Sequence, residues 1–328
     1  MTTAQRDDDA SLLSPELGET RVGRWRIPTS ALRAYTMVFA LIVIWLFFQW
    51  NTRSELYPYG LFLHPVNLAN LLKQMSVTGV LAVGMLLVIV ARQIDLSIGS
   101  VVGLAGGVAA MSQGWGLLPS FAAAIAIGVL VGAFQGGLVA YANIPSFIVT
   151  LGGLLTWRGV ILYLSKGETI PVRLPVFRQL GVALVTPASG WVLAAIAIVL
   201  RIWMTVRRQR ARKRHDLAAS STAAAVLGII VPSVLIVVFV YAMNFQGGVP
   251  LPVIVLLAVA VAGHFLTQST TFGRYLYAIG SNPDAARLSG VNSRKHILTA
   301  FALLGGLWAS PRCCIREGSE AHRRTPGR

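Results

Sequence analysis

Residues 75–110 read MSVTGVLAVGMLLVIVARQIDLSIGSVVGLAGGVAA. Arg92 and Asp95 are the two charged residues in this stretch. They sit where two apolar runs, 74–91 and 96–112, meet almost without a loop. Each run approaches the roughly 20 residues that a helix needs to cross about 30 Å of hydrocarbon. The stretch therefore reads as two membrane spans, with Asp95 close to the bilayer. An acid at the centre of a bilayer costs about 2.5–3.5 kcal/mol on insertion scales. Asp95 is then expected to face a polar cavity, to lie at the interface, or to cap the helix that follows. Capping is preferred, because a carboxylate meets free backbone N–H groups at a helix N-terminus.

The rest of the chain agrees. Of 328 residues, 55% are hydrophobic and 12% charged, and the mean hydropathy is +0.67. Soluble domains carry about 25% charged residues. Further apolar runs lie at 31–50, 118–141, 146–164, 190–206, 217–242 and 249–267, with 297–309 too short to span. The expected fold is all-α: a polytopic transmembrane helix bundle of about eight full spans, a shortened ninth and a short cytoplasmic helix. The run 31–50 reads as an uncleaved first helix behind a disordered tail, residues 1–30. Gly99, Gly103 and Gly107 form one ladder, and Gly128, Gly132 and Gly136 a second. Four-residue spacing puts small residues on one helix face and lets backbones approach closely.

Net charge is +16, and the distribution of the cations matters more than the sum. With a cytoplasmic N-terminus and alternating spans, 17 Lys and Arg fall inside and six outside. That bias fits the positive-inside rule. The run RRQRARKRH, 207–215, is the strongest topogenic signal, part of a basic cytoplasmic loop at 201–215. Its charge also suits anionic lipid heads, whereas nucleic-acid binding lacks a folded module around it. Segment 165–189, with Pro171, Pro175 and Pro187, reads as a structured external loop.

Several chemistries are missing from the sequence. It has no G-x-x-x-x-G-K-[ST] phosphate loop and no H-E-x-x-H. The five histidines are scattered, and the two cysteines, Cys313 and Cys314, are adjacent, so no metal or disulfide spacing exists. No cofactor, metal site or catalytic set is expected. Few intramembrane acids are available for a proton relay, which disfavours a proton-coupled transporter.

One polar stretch interrupts the apolar chain: GRYLYAIGSNPDAARLSGVNSRK, 273–295. Asn282 can cap free N–H groups, and Pro283 is tolerated at the first helical position. Asp284 suits the first turn, and Ala285, Ala286, Arg287 and Leu288 favour helix. Gly290 fits a left-handed C-terminal cap. A helix of about two turns, Pro283 to Ser289, is expected on the cytoplasmic side, with Ala285 and Leu288 sharing a face. Gly273 and Gly280 are expected to let the entering chain turn. Such a helix held below a bundle is a docking element for a soluble partner.

The stretch TTFGRYLYAIGSNPDAARLSGVNSRK, 270–295, closely resembles the cytoplasmic loop of sugar ABC importer permeases of the ribose/xylose type. Residues 75–110, NIPSFIVTLGGLLTWRG (143–159) and GVPLPVIVLLAV (248–259) match in kind. The resemblance covers most of 68–309, and the long segment 165–248 is more similar to the xylose-type branch. It implies a permease of the bacterial inner membrane that moves a monosaccharide, a pentose such as xylose, inward. It also implies a cytoplasmic ABC ATPase, a second permease copy and an extracytoplasmic sugar-binding protein as partners. Residues 283–290 would then be the coupling helix within a loop at 268–296, with Gly273, Arg274, Asn282, Pro283, Asp284, Ala285, Ala286, Arg287, Leu288 and Gly290 coupling to the ATPase. ATP hydrolysis belongs to that partner, so the permease itself is not an enzyme. Asp95, Gln135, Asn143 and Trp157 are candidates for the solute path or for helix capping, each also readable as structural.

The family continues past this loop with further spans. Here the apolar run after the loop gives way near Ala309 to SPRCCIREGSEAHRRTPGR, which is basic and lacks periodicity. The expected domains are therefore the tail 1–30, a permease domain 31–309 and an atypical, frameshifted or truncated tail 310–328. A truncated subunit that does not transport but still docks the ATPase is the alternative.

Overall fold

The structure, a computed structural model, describes residues 29–55, 57–176, 181, 183–214, 222–245 and 247–308. Residues 1–28 of the expected tail and all of 310–328 lie outside the described residues. The chain divides into two units after Asn67. The first contains α1 (Thr29–Asn51) and the turn-rich segment behind it. Gln49 organises that segment: its Oε1 accepts from Leu63 N at 2.7 Å, and its amide nitrogen donates to the carbonyl of Tyr59. Thr52 Oγ1 accepts from Leu61 N and Phe62 N, both at 3.1 Å.

Helix α2 (Pro65–Val90) carries the chain into the second unit. There follow α3 (Ile98–Met111), α4 (Leu117–Ala140), α5 (Ser146–Leu164), a two-residue strand β1 (Leu184–Val185), α6 (Pro187–Arg214) and α7 (Thr222–Asn244). Strand β2 (Val249–Pro250), α8 (Leu251–Ser269), α9 (Thr271–Ser281), α10 (Pro283–Leu288) and α11 (Ser293–Trp308) complete it. The β1–β2 pair, antiparallel with Leu184 opposite Pro250, adds a small clip to the expected all-α bundle.

Among the described residues six helices are long and apolar enough to cross a membrane: α2, α4, α5, α6, α7 and α8. The run 31–50 becomes α1, whose apolar part is Thr36–Asn51. The run 96–112 gives a helix of only 14 residues. At 1.5 Å per residue that is about 21 Å. Residues 93–97 are non-helical and lead into it, and chain without regular helix extends further per residue than helix does. The polybasic run expected as a loop is instead helical as far as Arg214. Arg, Lys, Gln and Ala are all good helix formers, and α6 continues through them.

Side-chain bonds sort the connections of the second unit into two ends. At one end Gln113 donates to Pro171 O at 2.9 Å and accepts from Arg173 N at 2.7 Å. At the other, Arg92 donates to Ser281 O at 3.1 Å, and the Arg294 guanidinium lies 6.0 Å from the Tyr141 ring centre. Helix α3 joins these ends.

The core lies between α2, α3, α4, α9 and α11, with Leu87, Val88, Val101, Leu104, Leu276, Phe301 and Leu304 buried. The ladder Gly128, Gly132 and Gly136 is the seam for α11. A Cβ at Gly132 would overlap the Phe301 carbonyl oxygen, and one at Gly305 would overlap the Gly128 carbonyl oxygen. The first ladder forms no such seam. Gly99 faces open space, while Gly107 meets Ile161. A second cluster, Ala69, Ala194, Val240, Met243, Val249 and Val253, joins α2, α6, α7 and α8.

Candidate functional site

The stretch 273–295 folds as a helical hairpin. Thr270 Oγ1 caps α9 by accepting from Gly273 N at 3.2 Å. Gly273 and Gly280 lie inside α9, not at turns as expected. Their role is close approach: a Cβ at Gly280 would overlap the Val90 carbonyl oxygen, and one at Gly273 that of Thr267. Leu276 and Ile279 bury the same helix against the bundle, while Arg274 is exposed. His296 stacks on Phe272 at 5.8 Å and meets the Tyr275 ring edge-on, tying α9 to α11.

Asn282 ends α9 and starts α10. Its Oδ1 accepts from Asp284 N at 3.1 Å and from Ala285 N at 3.0 Å, with Pro283 in the first turn. The far end closes with Gly290 N donating to Arg287 O and Val291 N to Ala286 O, both at 3.0 Å. Gly290 has φ +80°, the left-handed conformation that such a C-terminal closure requires. The helix ends at Leu288, one residue earlier than expected, with Ser289 as its cap. Asp284 at the start and Arg287 at the end complement the helix dipole.

The short helix is thus held in shape by its caps and attached through one buried residue, Ala286. Pro283, Asp284, Ala285, Arg287 and Leu288 all face outward. Leu288 is 91% exposed, the highest value among the exposed large apolar residues described. Asn282→Ala should cost about 1 kcal/mol of local helix stability. Amide exchange at Asp284 and Ala285 should accelerate, while exchange at Leu276 stays slow.

A second constellation lies within the bundle. Asp95 is 2% exposed and Gln135 1%. Asp95 Oδ1 accepts from Ser97 N at 2.7 Å and lies 2.7 Å from Ser97 Oγ, which is 3.1 Å from Gln135 Oε1. The carboxylate therefore holds the residue that precedes α3, and does not reach the first turn of that helix. Ser97 itself makes no side-chain cap. Nearby, Ile94 N donates to Ser146 Oγ at 3.1 Å and Thr150 Oγ1 to Ile94 O at 3.3 Å, so the 91–97 segment is fixed to α5. Gly153 of α5 lies against the Gln135 amide and the Trp157 indole nitrogen. The structure thus brings together Asp95, Gln135 and Trp157. Asn143 stands apart: it is exposed, with φ 54°, in the α4–α5 turn. Ser97 and Gly153 were missed by sequence reasoning. Small residues of this kind become visible only when neighbouring polar groups are placed. Among the described residues no cluster of His, Cys, Asp and Glu could hold a metal.

Comparison with known proteins gives a consistent result. Residues 67–309 match the family described as branched-chain amino acid transport system / permease component. The xylose transport system permease protein XylH of Escherichia coli is 36% identical over 277 residues, 84% of this chain and 69% of that protein. XylH of Haemophilus influenzae is 38% identical over 289 residues, 87% of this chain and 75% of the relative. The ribose import permease protein RbsC of Escherichia coli is 32% identical over 241 residues, 73% and 57% of the two chains. No solved structure matches the chain. With a helical membrane bundle, a capped polar hairpin at one end of it and a family match across both, this chain belongs to the branched-chain amino acid transport system / permease component family.

Proposed function

We propose that the chain is the membrane permease of an ATP-binding-cassette importer in the bacterial inner membrane, carrying a monosaccharide, a pentose such as xylose, inward. The observation that carries this reading is α10: a helix capped at both ends, attached to the bundle by Ala286, whose outward face offers Leu288 to a partner. A capped helix with an outward apolar side chain is a form that helix-in-groove docking uses. It fits a cleft on a soluble ATPase, and the sequence has no phosphate loop of its own. The similarity to xylose and ribose permeases supports the sugar class.

In this reading Gly273, Arg274 and residues 282–288 with Gly290 form the coupling element. The ATPase, a second permease copy and an extracytoplasmic sugar-binding protein complete the importer. The end carrying Arg92, Ser281 and Arg294 is cytoplasmic, in agreement with 17 inside cations against six outside. The N-terminus lies on the same side. Counting α1 and α3 with the six long helices gives eight spans, and α11 is the shortened ninth.

Coupling would pass through contacts already in place. Arg92 Nη2 holds the Ser281 carbonyl at 3.1 Å, one residue before the α10 cap. Gly280 rests on the Val90 carbonyl. Movement of α10 would therefore act on the corner between α2 and α3, and that corner leads into the Asp95–Ser97–Gln135 row. In that row Asp95 orients Ser97, the residue before α3. The reading is tested by co-expressing the permease with an ABC ATPase from the same source organism: the two should co-purify, and permease alone should hydrolyse no ATP. An isolated permease that leaves the ATPase behind counts against it.

A further inference from the structure

We propose that α6 and α7 bind the headgroup phosphate of an anionic phospholipid, with Arg201 as its main ligand. The site stands on these two helices alone. Only its leaflet, the cytoplasmic one, follows from the permease reading. Pro232 lies inside α7. Proline has no N–H, so the carbonyl four residues earlier, that of Gly228, loses its helical partner. Arg201 of α6 supplies a replacement: its Nε and Nη2 donate to Gly228 O at 3.3 and 3.1 Å. That bond does not call for a charge. A neutral donor such as glutamine would meet the carbonyl at far less cost in a membrane, where arginine is among the least favourable residues. A guanidinium carries five N–H protons. Two are engaged on Gly228 O, which leaves three on an exposed side chain. Neither helix contains Asp or Glu to take them. The nearest acid in sequence, Asp216, follows the end of α6, whose last 13 residues rise about 20 Å beyond Arg201.

Depth and surroundings identify the ligand. Arg201 lies 14 residues after Pro187, about 21 Å along α6 from the end that β1 leads into. Gly228 lies 16 residues before Asn244, about 24 Å along α7 from the end that leads to β2. In hydrocarbon about 30 Å thick, the two meet near the boundary opposite the β1–β2 clip. A soluble partner does not reach that depth, and a lipid headgroup does. Trp203, 54% exposed, is a residue type that settles at this interface, and the Arg207 guanidinium lies 5.2 Å from its ring centre. Arg208 follows Arg201 by two turns on the same helix face, and α6 runs on through Arg210, Arg212, Lys213 and Arg214. The exposed neighbours at the level of Arg201 are apolar: Val199 and Leu200 on α6, Leu227 and Val231 on α7. Nothing covers α7 at Gly228, where a Cβ would meet open space. Phosphate oxygens match the guanidinium fork, and acyl chains match the apolar flank. A zwitterionic headgroup would bring its own cation against the basic run, so the lipid is an anionic one.

The test uses the purified full chain in phosphatidylcholine nanodiscs that contain a minority of phosphatidylglycerol, with retained lipid identified by native mass spectrometry. The wild type should retain phosphatidylglycerol well above its share of the bilayer. It should do so at about 0.5 M NaCl as at about 0.1 M, because a contact at this depth is screened less than exposed charges are. Arg201→Gln places its amide nitrogen where Nε stands, so Gly228 O keeps a donor and only the charge is lost. That variant should lower the preference about tenfold, the loss of one charge-assisted contact. Its melting temperature in pure phosphatidylcholine should stay that of the wild type. Arg210→Gln removes the same charge from the exposed run and should change little at the higher salt. Equal losses in the two variants, or a wild-type preference that vanishes at the higher salt, would reduce the effect to diffuse attraction and overturn the site. Displacement of the lipid by excess inorganic phosphate would make a soluble anion the ligand and overturn the lipid assignment. The salt and phosphate arms use the wild type and decide the matter even if Arg201→Gln does not fold. None of these readings involves transport, so failure of the sugar reading would leave them unchanged.

Discussion

Leu288→Asp should detach the partner ATPase from the permease while leaving the permease folded. Leu288 is 91% exposed, so the protomer makes almost no use of its side chain. Changes at such positions stay within about 0.5 kcal/mol of folding stability. The cost falls on the interface. An apolar anchor at the centre of a docking surface is worth about 2 kcal/mol or more, and placing a charge in its desolvated pocket adds to that. Two kcal/mol already corresponds to roughly a 30-fold weaker complex. Retention of the ATPase on affinity-tagged permease is the readout, with the melting temperature of the permease as control. Ala285→Asp, on the same face, should act in the same direction. Unchanged retention in both variants would remove α10 from the coupling assignment.

The second large effect concerns the α4–α11 seam, where one substitution changes sign with position. Gly→Ala in an exposed helix gains about 1 kcal/mol from backbone entropy alone. At Gly137 nothing lies within 4 Å of the new methyl group, so the substitution should be neutral or stabilising. At Gly132 the methyl overlaps the backbone carbonyl of Phe301, which cannot rotate away as a side chain would. Helix α11 must move, and Phe301 and Leu304 with it, although both are fully buried. Overpacking of this kind costs about 1–3 kcal/mol, which exceeds the propensity gain. Gly132→Ala should therefore lower the melting temperature and Gly137→Ala should not. The comparison is read by thermal unfolding of the purified permease. Equal behaviour would mean that the seam is looser than its geometry.

The two regions were legible in the sequence to different degrees. The caps of α10 could be placed almost to the residue, because Asn282, Pro283 and Gly290 act locally on the backbone. The helical state of α9 could not be read in this way. Gly273 and Gly280 look like turn residues until the backbones they admit, at Thr267 and Val90, are known. The same limit applies to the glycine ladders: spacing alone does not distinguish Gly132, which lies against α11, from Gly99, which faces open space. Asp95, Gln135 and Trp157 stood out individually as polar or aromatic groups in apolar surroundings. Their convergence did not, since they come from three separate parts of the chain and are connected by Ser97 and Gly153. The continuation of α6 through six basic residues after Trp203 shows another limit, because charge reads as loop while propensity favours helix.

The central claim is that the chain imports a pentose only in company with an ATPase docked on α10. It is tested most directly by uptake of radiolabelled D-xylose into vesicles that contain the permease, the ATPase and the sugar-binding protein. Accumulation should require ATP and the binding protein together, and should disappear with Leu288→Asp. Uptake that persists without ATP, or that Leu288→Asp leaves intact, would contradict it.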